Sequence, residues 1–124
     1  MTFGTVNPQL EAIVRLLIRG PSGEIEAEAL VDTGFNGALT LPPDLIAMLG
    51  LHLRTRAWGV LADGRKDFFD IYEALISWNG RLLRILVGSA DSKPLLGMAL
   101  LYGYELNIQA IEGGAVAIRE IPPS

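Results

Sequence analysis

Apolar and polar residues alternate most regularly between Glu24 and Val31. Four apolar residues fall on one side of the extended chain and three glutamates on the other, and this period of two predicts a strand with one buried face. A second apolar segment, from Glu11 to Ile18, comes before it. Glycine and proline punctuate the connection, residues Arg19 to Gly23, and mark a turn. The two segments are therefore predicted to form a β-hairpin.

Further strands and short helices are predicted along the rest of the chain. Asp63-Gly64 and Asn79-Gly80 are strong signals for tight hairpin turns between apolar segments. Proline at the start and glycine just past the end frame a short helix over residues 42–50. The remaining segments predicted to be regular are strands 39–41, 53–61, 68–78, 82–87, 106–111 and 115–121, and one helical turn over 98–101. The sum is about eight short strands with one or two short helices, which predicts a mostly β protein.

The composition narrows the class of protein. The chain has 124 residues and half of them are hydrophobic, so one domain over residues 1–124 with a real core is expected. The net charge is −4 and no basic stretch is longer than Arg65-Lys66, which argues against a nucleic-acid partner. There is no cysteine and one histidine, His52, so zinc–sulfur and histidine-rich metal sites are excluded and no cofactor is implied.

The apolar run from Ile13 to Ile18 is interrupted by Arg15 and is far shorter than the ~20 residues a membrane helix needs. No secretory signal is predicted, and no membrane partner. A cytoplasmic protein is the expectation, while export within a larger precursor stays compatible with the sequence.

The candidate chemistry lies in Asp32-Thr33-Gly34, which occurs once and directly follows the second strand. A carboxylate at a strand end, in a glycine-containing loop with apolar flanks, is placed to act as an acid or base. The threonine hydroxyl can fix the loop by donating to nearby backbone, and the glycine permits close backbone approach or a positive φ. A turn made by an ordinary aspartate is the competing interpretation.

The order of these features resembles the retropepsin-like aspartic proteases. The resemblance covers roughly residues 11–109 and is closest to the bacterial and archaeal single-domain group that carries Asp-Thr-Gly-Phe, here Asp32 to Phe35. It implies a closed β-barrel lobe with one or two short helices, active as a two-fold homodimer. Phe35 stands where the viral enzymes carry a small residue, and nothing after Gly97 matches their arginine-containing stretch.

The resemblance also implies roles for particular residues. Asp32 of each subunit would be the catalytic carboxyl of an aspartic endopeptidase that cleaves an extended polypeptide. Thr33 and Gly34 would support the catalytic loop, together with the hydrophobic-hydrophobic-glycine element, which is Leu95, Leu96 and Gly97. A flap over the substrate would be formed by Leu61, Ala62, Asp63 and Gly64.

Other interpretations remain open at this point. The same fold could serve as a catalytically inactive module for dimerisation or peptide binding, or as a partner that folds only on association. Asp63, Asp67 and Asp70 suggest a metal cluster, but their spacing matches no calcium loop, and a solvated hairpin is favoured.

Overall fold

The computed structural model describes residues 1–60 and 63–123, and this part of the chain folds into ten strands and two short helices. The strands are β1 (Thr2–Val6), β2 (Ala12–Gly20), β3 (Gly23–Val31), β4 (Leu39–Leu41), β5 (His52–Val60), β6 (Lys66–Trp78), β7 (Arg81–Ser89), β8 (Leu95–Leu96), β9 (Tyr104–Ile108) and β10 (Ala115–Glu120). The helices are α1 (Pro43–Leu49) and α2 (Met98–Leu101). None of the helices in the described part is long and apolar enough to cross a membrane.

The strands form one sheet that closes on itself. Their order is β5-β6-β7-β4-β8-β3-β2-β1-β10-β9, and β6 also pairs with β2 through Ile18↔Ile76 and Arg19↔Leu75. This extra pairing closes a barrel from β2, β3, β8, β4, β7 and β6. Strand β5 extends β6 beyond the barrel, and β1, β10 and β9 continue the sheet from β2.

The core fills the barrel because alternate residues of each strand point inward. In β2 these are Val14, Leu16 and Ile18, which are at most 2% exposed. Strand β6 contributes Ala74, Ile76 and Trp78, all buried. Burying a large apolar side chain is worth about 1.5–3 kcal/mol, so these faces stabilise the closed sheet. Helix α1 covers one part of it with Ile46 and Leu49.

The predicted mostly β fold with one or two short helices is confirmed, and the structure has two helices and ten strands where about eight strands were predicted. The hairpin from Asn79 to Gly80 has the two positive φ angles, 48° and 81°, of a tight primed turn. The prediction missed strand β1, which lies between β2 and β10 and contains Gly4, where a side chain would clash with Ile13. The predicted strand 106–111 was also misplaced. Strand β9 ends at Ile108 because Gln109 begins a turn closed by its N–H bond to the carbonyl of Ala115.

Candidate active site

Asp32 lies immediately after β3 and is tied to a distant part of the chain. Its N–H donates to the carbonyl of Leu96 at 2.9 Å. Strand β8 runs parallel to β3, with Leu30 opposite Leu95 and Val31 opposite Leu96. Strand β4 pairs with β8 on its other side, through Leu39 and Leu96. The structure therefore brings Leu95 and Leu96 beside the loop that carries Asp32.

The Asp32 carboxyl is half-buried and is held by its own loop. Oδ1 accepts a hydrogen bond from the Gly34 N–H at 2.9 Å, and the Phe35 N–H donates to the Asp32 carbonyl at 3.1 Å. Such local bonds are typical of aspartate in turns. Among the described residues, Oδ2 has no hydrogen-bond partner. One carboxylate oxygen is thus fixed by the backbone and the other is available to a second group.

Three backbone hydrogen bonds clamp this loop onto the start of α2. The N–H groups of Gly97, Met98 and Ala99 donate to the carbonyls of Ala38, Phe35 and Gly37, at 3.0, 2.8 and 3.1 Å. The segment after β8 therefore lies directly against the loop between β3 and β4. This network fixes the loop without using any side chain from either segment.

The Phe35 ring packs between two glycines. A Cβ built on Gly37 would lie 2.5 Å from the ring Cζ, and one built on Gly97 would lie 2.5 Å from Cδ2. Both glycines therefore make room for the aromatic side chain. Phe35, the large residue after the triplet, fits here because Gly37 and Gly97 have no side chains. The sequence analysis did not predict this contact.

Thr40 is a second residue that sequence reasoning missed. It is 8% exposed, and its Oγ1 accepts a hydrogen bond from the Leu95 N–H at 3.0 Å. The N–H of Leu30 donates to Pro94 at 2.8 Å on the other side of the same segment. The available signal was a hydroxyl residue between two leucines in a short buried strand. Such a residue needs a polar partner when it is buried.

The structure places Thr33 and Gly34 at the exposed tip of the loop. The Thr33 hydroxyl makes no hydrogen bond within residues 1–60 and 63–123, so the expected local bond is not formed inside this part of the chain. Gly34 does not have a positive φ. A Cβ there would lie 3.3 Å from Asp32 Oδ1, so the lack of a side chain at Gly34 lets its backbone come close to the carboxylate.

The predicted flap corresponds to the hairpin of β5 and β6. Leu61 and Ala62 lie outside the described residues. Asp63 and Gly64 form the turn, with φ 87° at Gly64. The Asp63 carboxylate accepts from the N–H and Nε of Arg65, at 3.0 and 2.6 Å. Asp63 therefore stabilises the turn itself.

The other two aspartates of this hairpin also have local partners. Asp70 pairs with Arg56 at 3.0 Å, and Asp67 Oδ1 accepts from the N–H of Phe68 at 2.8 Å. Within the described residues, no group of three or more potential metal-ligating side chains occurs. Each of the three aspartates therefore bonds to its own neighbour rather than to a shared site.

Strand alternation indicates which residues share a face of this hairpin. The register of β6 with β7 covers Ile71–Trp78, and by alternation along β6 alone Phe68 falls on the side of Ala74 and Ile76. Trp58 lies opposite Phe68, with ring centroids 3.8 Å apart, and both are more than half exposed. An open hollow of about 360 Å³ is lined by Trp58, Gly59, Val60 and Lys66.

Comparison with solved structures identifies the fold. The chain is similar to the EIAV protease solved in complex with the inhibitor HBY-793, with 21% identity and a TM-score of 0.52. The similarity covers 74% of this chain and 86% of that chain. No protein-family model and no curated protein matches the sequence. The closer match to the bacterial and archaeal group stays a prediction. The closed barrel, the two short helices and this similarity together show that the chain has a retropepsin-like fold.

Proposed function

We propose that the protein is an aspartic endopeptidase that acts as a homodimer, with Asp32 of each subunit forming the catalytic pair. The observation that carries the proposal is the position of Asp32. Asp32 lies at a strand end in a retropepsin-like fold, its backbone N–H bonded to the Leu96 carbonyl and its half-buried carboxyl bonded by the Gly34 N–H. The proposal takes residues 1–124 as one cytoplasmic domain.

The chemistry follows from two carboxyls that meet across a two-fold axis. Like charges at close range do not both ionise, so the pair holds one proton. The ionised member takes a proton from water, and the protonated member donates to the carbonyl of the scissile peptide bond. The water oxygen bonds to the carbonyl carbon as its proton leaves, giving a tetrahedral diol. The carboxyl that took the water proton gives it to the amide nitrogen, the other carboxylate takes a proton back from the diol, and the C–N bond breaks to release an acid and an amine. The pair again holds one proton, and no covalent enzyme intermediate forms.

The proposed substrate is an extended polypeptide. Strand β5 is an edge strand in the described part of the sheet, and an exposed edge can pair with a peptide in β conformation. The exposed rings of Trp58 and Phe68 lie against each other on one face of the same hairpin. They offer an apolar contact to a side chain of the bound peptide.

The decisive experiment compares Asp32→Asn with Asp44→Asn. Both variants remove one negative charge, but Asp44 is an exposed residue in the first turn of α1. Cleavage of a fluorogenic peptide library is measured at acidic and neutral pH, with oligomeric mass from light scattering. We expect Asp32→Asn to abolish cleavage without changing the mass or the fold, and Asp44→Asn to retain cleavage.

Wild-type activity is also expected to follow a bell-shaped pH profile and to be blocked by statine-type transition-state mimics, because the pair must hold one proton. Undiminished cleavage by Asp32→Asn refutes the assignment. A folded wild-type dimer that cleaves no peptide of the library supports the inactive binding module instead.

A further inference from the structure

A second open hollow, of about 400 Å³, lies between the hairpin of β6 and β7, helix α2 and the start of β9. Leu83 and Leu100 belong to its mainly apolar lining. The rings of Trp78 and Tyr104 also line it and meet edge to face, with centroids 5.6 Å apart. Sites for small organic molecules commonly measure about 300–1,000 Å³ and combine an apolar lining with a few polar groups. This hollow has the size and the lining of such a site.

Arg81 supplies a polar end to the hollow. Its guanidinium is mostly exposed, and its contacts within the described residues are long, 3.4 Å to the Tyr104 hydroxyl and 3.7 Å to Glu120. Charge-assisted hydrogen bonds usually measure about 2.7–2.9 Å. The nearby Arg84, in contrast, is held by Glu73 at 2.8 Å. A guanidinium has five N–H donors, so Arg81 can bind a carboxylate while it keeps both of its contacts.

Trp78 leaves a polar group unpaired beside the same hollow. The residue is 2% exposed, and its Nε1–H has no acceptor among the described residues. Buried polar groups nearly always have a hydrogen-bond partner, in the protein or in a bound molecule. The unpaired indole N–H is therefore a second and independent sign that a molecule with a polar group occupies this part of the structure.

The hollow also adjoins the clamp on the Asp32 loop. Ala38 and Ala99 both line it. The Ala38 carbonyl accepts a hydrogen bond from the Gly97 N–H at 3.0 Å, and the Ala99 N–H donates to the Gly37 carbonyl at 3.1 Å. A molecule in the hollow would therefore contact two of the residues whose backbone holds this loop in place.

We propose that the hollow binds a small carboxylic acid with an apolar body, such as a short-chain acid that ends in an aryl group. The carboxylate binds the Arg81 guanidinium and accepts from the Tyr104 hydroxyl, whose hydrogen has no acceptor within the described residues. The apolar body packs against Leu83, Leu100 and the ring of Trp78. The inference goes beyond the proposed function, because it concerns a second site and does not depend on peptide cleavage.

The first experiment follows binding by NMR, with phenylbutyrate as the acid and phenylbutanol as a probe that has the same apolar body and no charge. The chain has two tryptophans, and Trp58→Phe identifies which indole N–H signal belongs to Trp78. We expect phenylbutyrate to shift the Trp78 signal and to leave the Trp58 signal in place. The acid should bind about tenfold more tightly than the alcohol, because hydrogen bonds to charged groups are stronger than neutral ones.

Arg81→Gln and Arg15→Gln separate the role of this guanidinium from the change of net charge. Both arginines are exposed, but Arg15 lies on β2 and pairs with Glu26 and Glu28, at 3.4 and 3.5 Å. We expect Arg81→Gln to weaken the binding of phenylbutyrate about tenfold and to leave that of phenylbutanol unchanged. Arg15→Gln should change neither affinity.

Ala99→Leu and Ala99→Ser test the place of binding. Ala99 is exposed on α2, so a larger side chain takes up space at the hollow without entering the core. We expect Ala99→Leu to weaken the binding of both probes several-fold and Ala99→Ser to weaken neither. In the wild type, saturating phenylbutyrate should slow hydrogen exchange at the Gly97 and Ala99 amides, because binding stabilises the folded state that contains the clamp.

Equal affinities for the acid and the alcohol, or full affinity of Arg81→Gln for the acid, overturn the proposal. A shift of the Trp58 signal in place of the Trp78 signal also overturns it, because the acid then binds at the hairpin of β5 and β6. The absence of any shift at millimolar phenylbutyrate has the same consequence. If Arg81→Gln does not fold, the comparison of acid and alcohol on the wild type decides.

Discussion

Asp32 and Leu96 are joined by a backbone hydrogen bond of 2.9 Å, from the N–H of the aspartate to the carbonyl of the leucine. The bond links the triplet loop to strand β8, which lies far along the sequence. The position of the carboxyl therefore depends on the second segment as much as on its own. Substitutions near Gly97 are therefore expected to change the position of the Asp32 carboxyl although they do not contact it.

Gly97→Ala is expected to destabilise the fold and to reduce peptide cleavage together. The added Cβ would lie 2.6 Å from the Phe35 carbonyl oxygen and would clash with that of Gly37, and backbone atoms cannot move aside cheaply. Such overpacking costs about 1–3 kcal/mol. Urea denaturation measures the loss, with Met98→Ala, a truncation of the exposed neighbour, as control. Unchanged stability of Gly97→Ala would contradict the clamp described here.

Gly37→Ala is expected to destabilise the wild-type protein much more than it destabilises the variant that already carries Phe35→Ala. The new methyl group meets the Phe35 ring at 2.5 Å, and this obstacle is absent when the ring has been removed. Phe35→Ala alone should cost about 2 kcal/mol, less than a fully buried phenylalanine, because the ring is half-buried. A double-mutant cycle in urea should give a coupling energy of about 0.5–3 kcal/mol. Additive effects of the two changes would show that ring and glycine do not pack together.

Thr40→Val is expected to lower the free energy of unfolding by about 1–3 kcal/mol, because the N–H of Leu95 loses its acceptor in a buried place. Thr40→Ser keeps the hydroxyl and should lose less. Hydrogen exchange at the Leu95 amide should become faster in the valine variant only. Equal stability of the valine and serine variants would mean that the hydroxyl contributes nothing.

Glu11 is expected to make the stability depend on acid pH. Hydrogen bonds from Asn7 and then Lys93 lower the pKa of Glu11 from its ordinary value of 4.5. A lowered pKa in the folded state gives stability that is present above the ordinary value and is lost as the pH falls through the lowered one.

The melting temperatures of wild type and Glu11→Gln should therefore differ above pH 4.5 and converge as the pH falls through the lowered pKa. Glu112→Gln, at an exposed site, controls for the change of charge. A difference that stays constant with pH would exclude a contribution from the ionised Glu11.

Local chemistry predicted much of the fold. The alternation before Val31, the proline and glycine that frame α1, and the Asn79-Gly80 turn are all short-range signals, and the structure shows the expected elements. Strand β1 was missed because its burial pattern is weak, with Val6 as its one fully buried residue. Its place depends on β2 and β10, which sequence periodicity does not bring together.

The sequence by itself determined which residues could do chemistry: it offers one Asp-Thr-Gly triplet, no cysteine, and a Leu-Leu-Gly element in the right order. Only the tertiary structure decided that the Thr40 hydroxyl accepts a hydrogen bond from Leu95, that the Phe35 ring packs against Gly37 and Gly97, and that β5 and β9 are the edges of the described sheet. The physical reason is that periodicity and turn signals act over a few residues. Strand pairing and side-chain packing, in contrast, join segments that are brought together when the barrel closes.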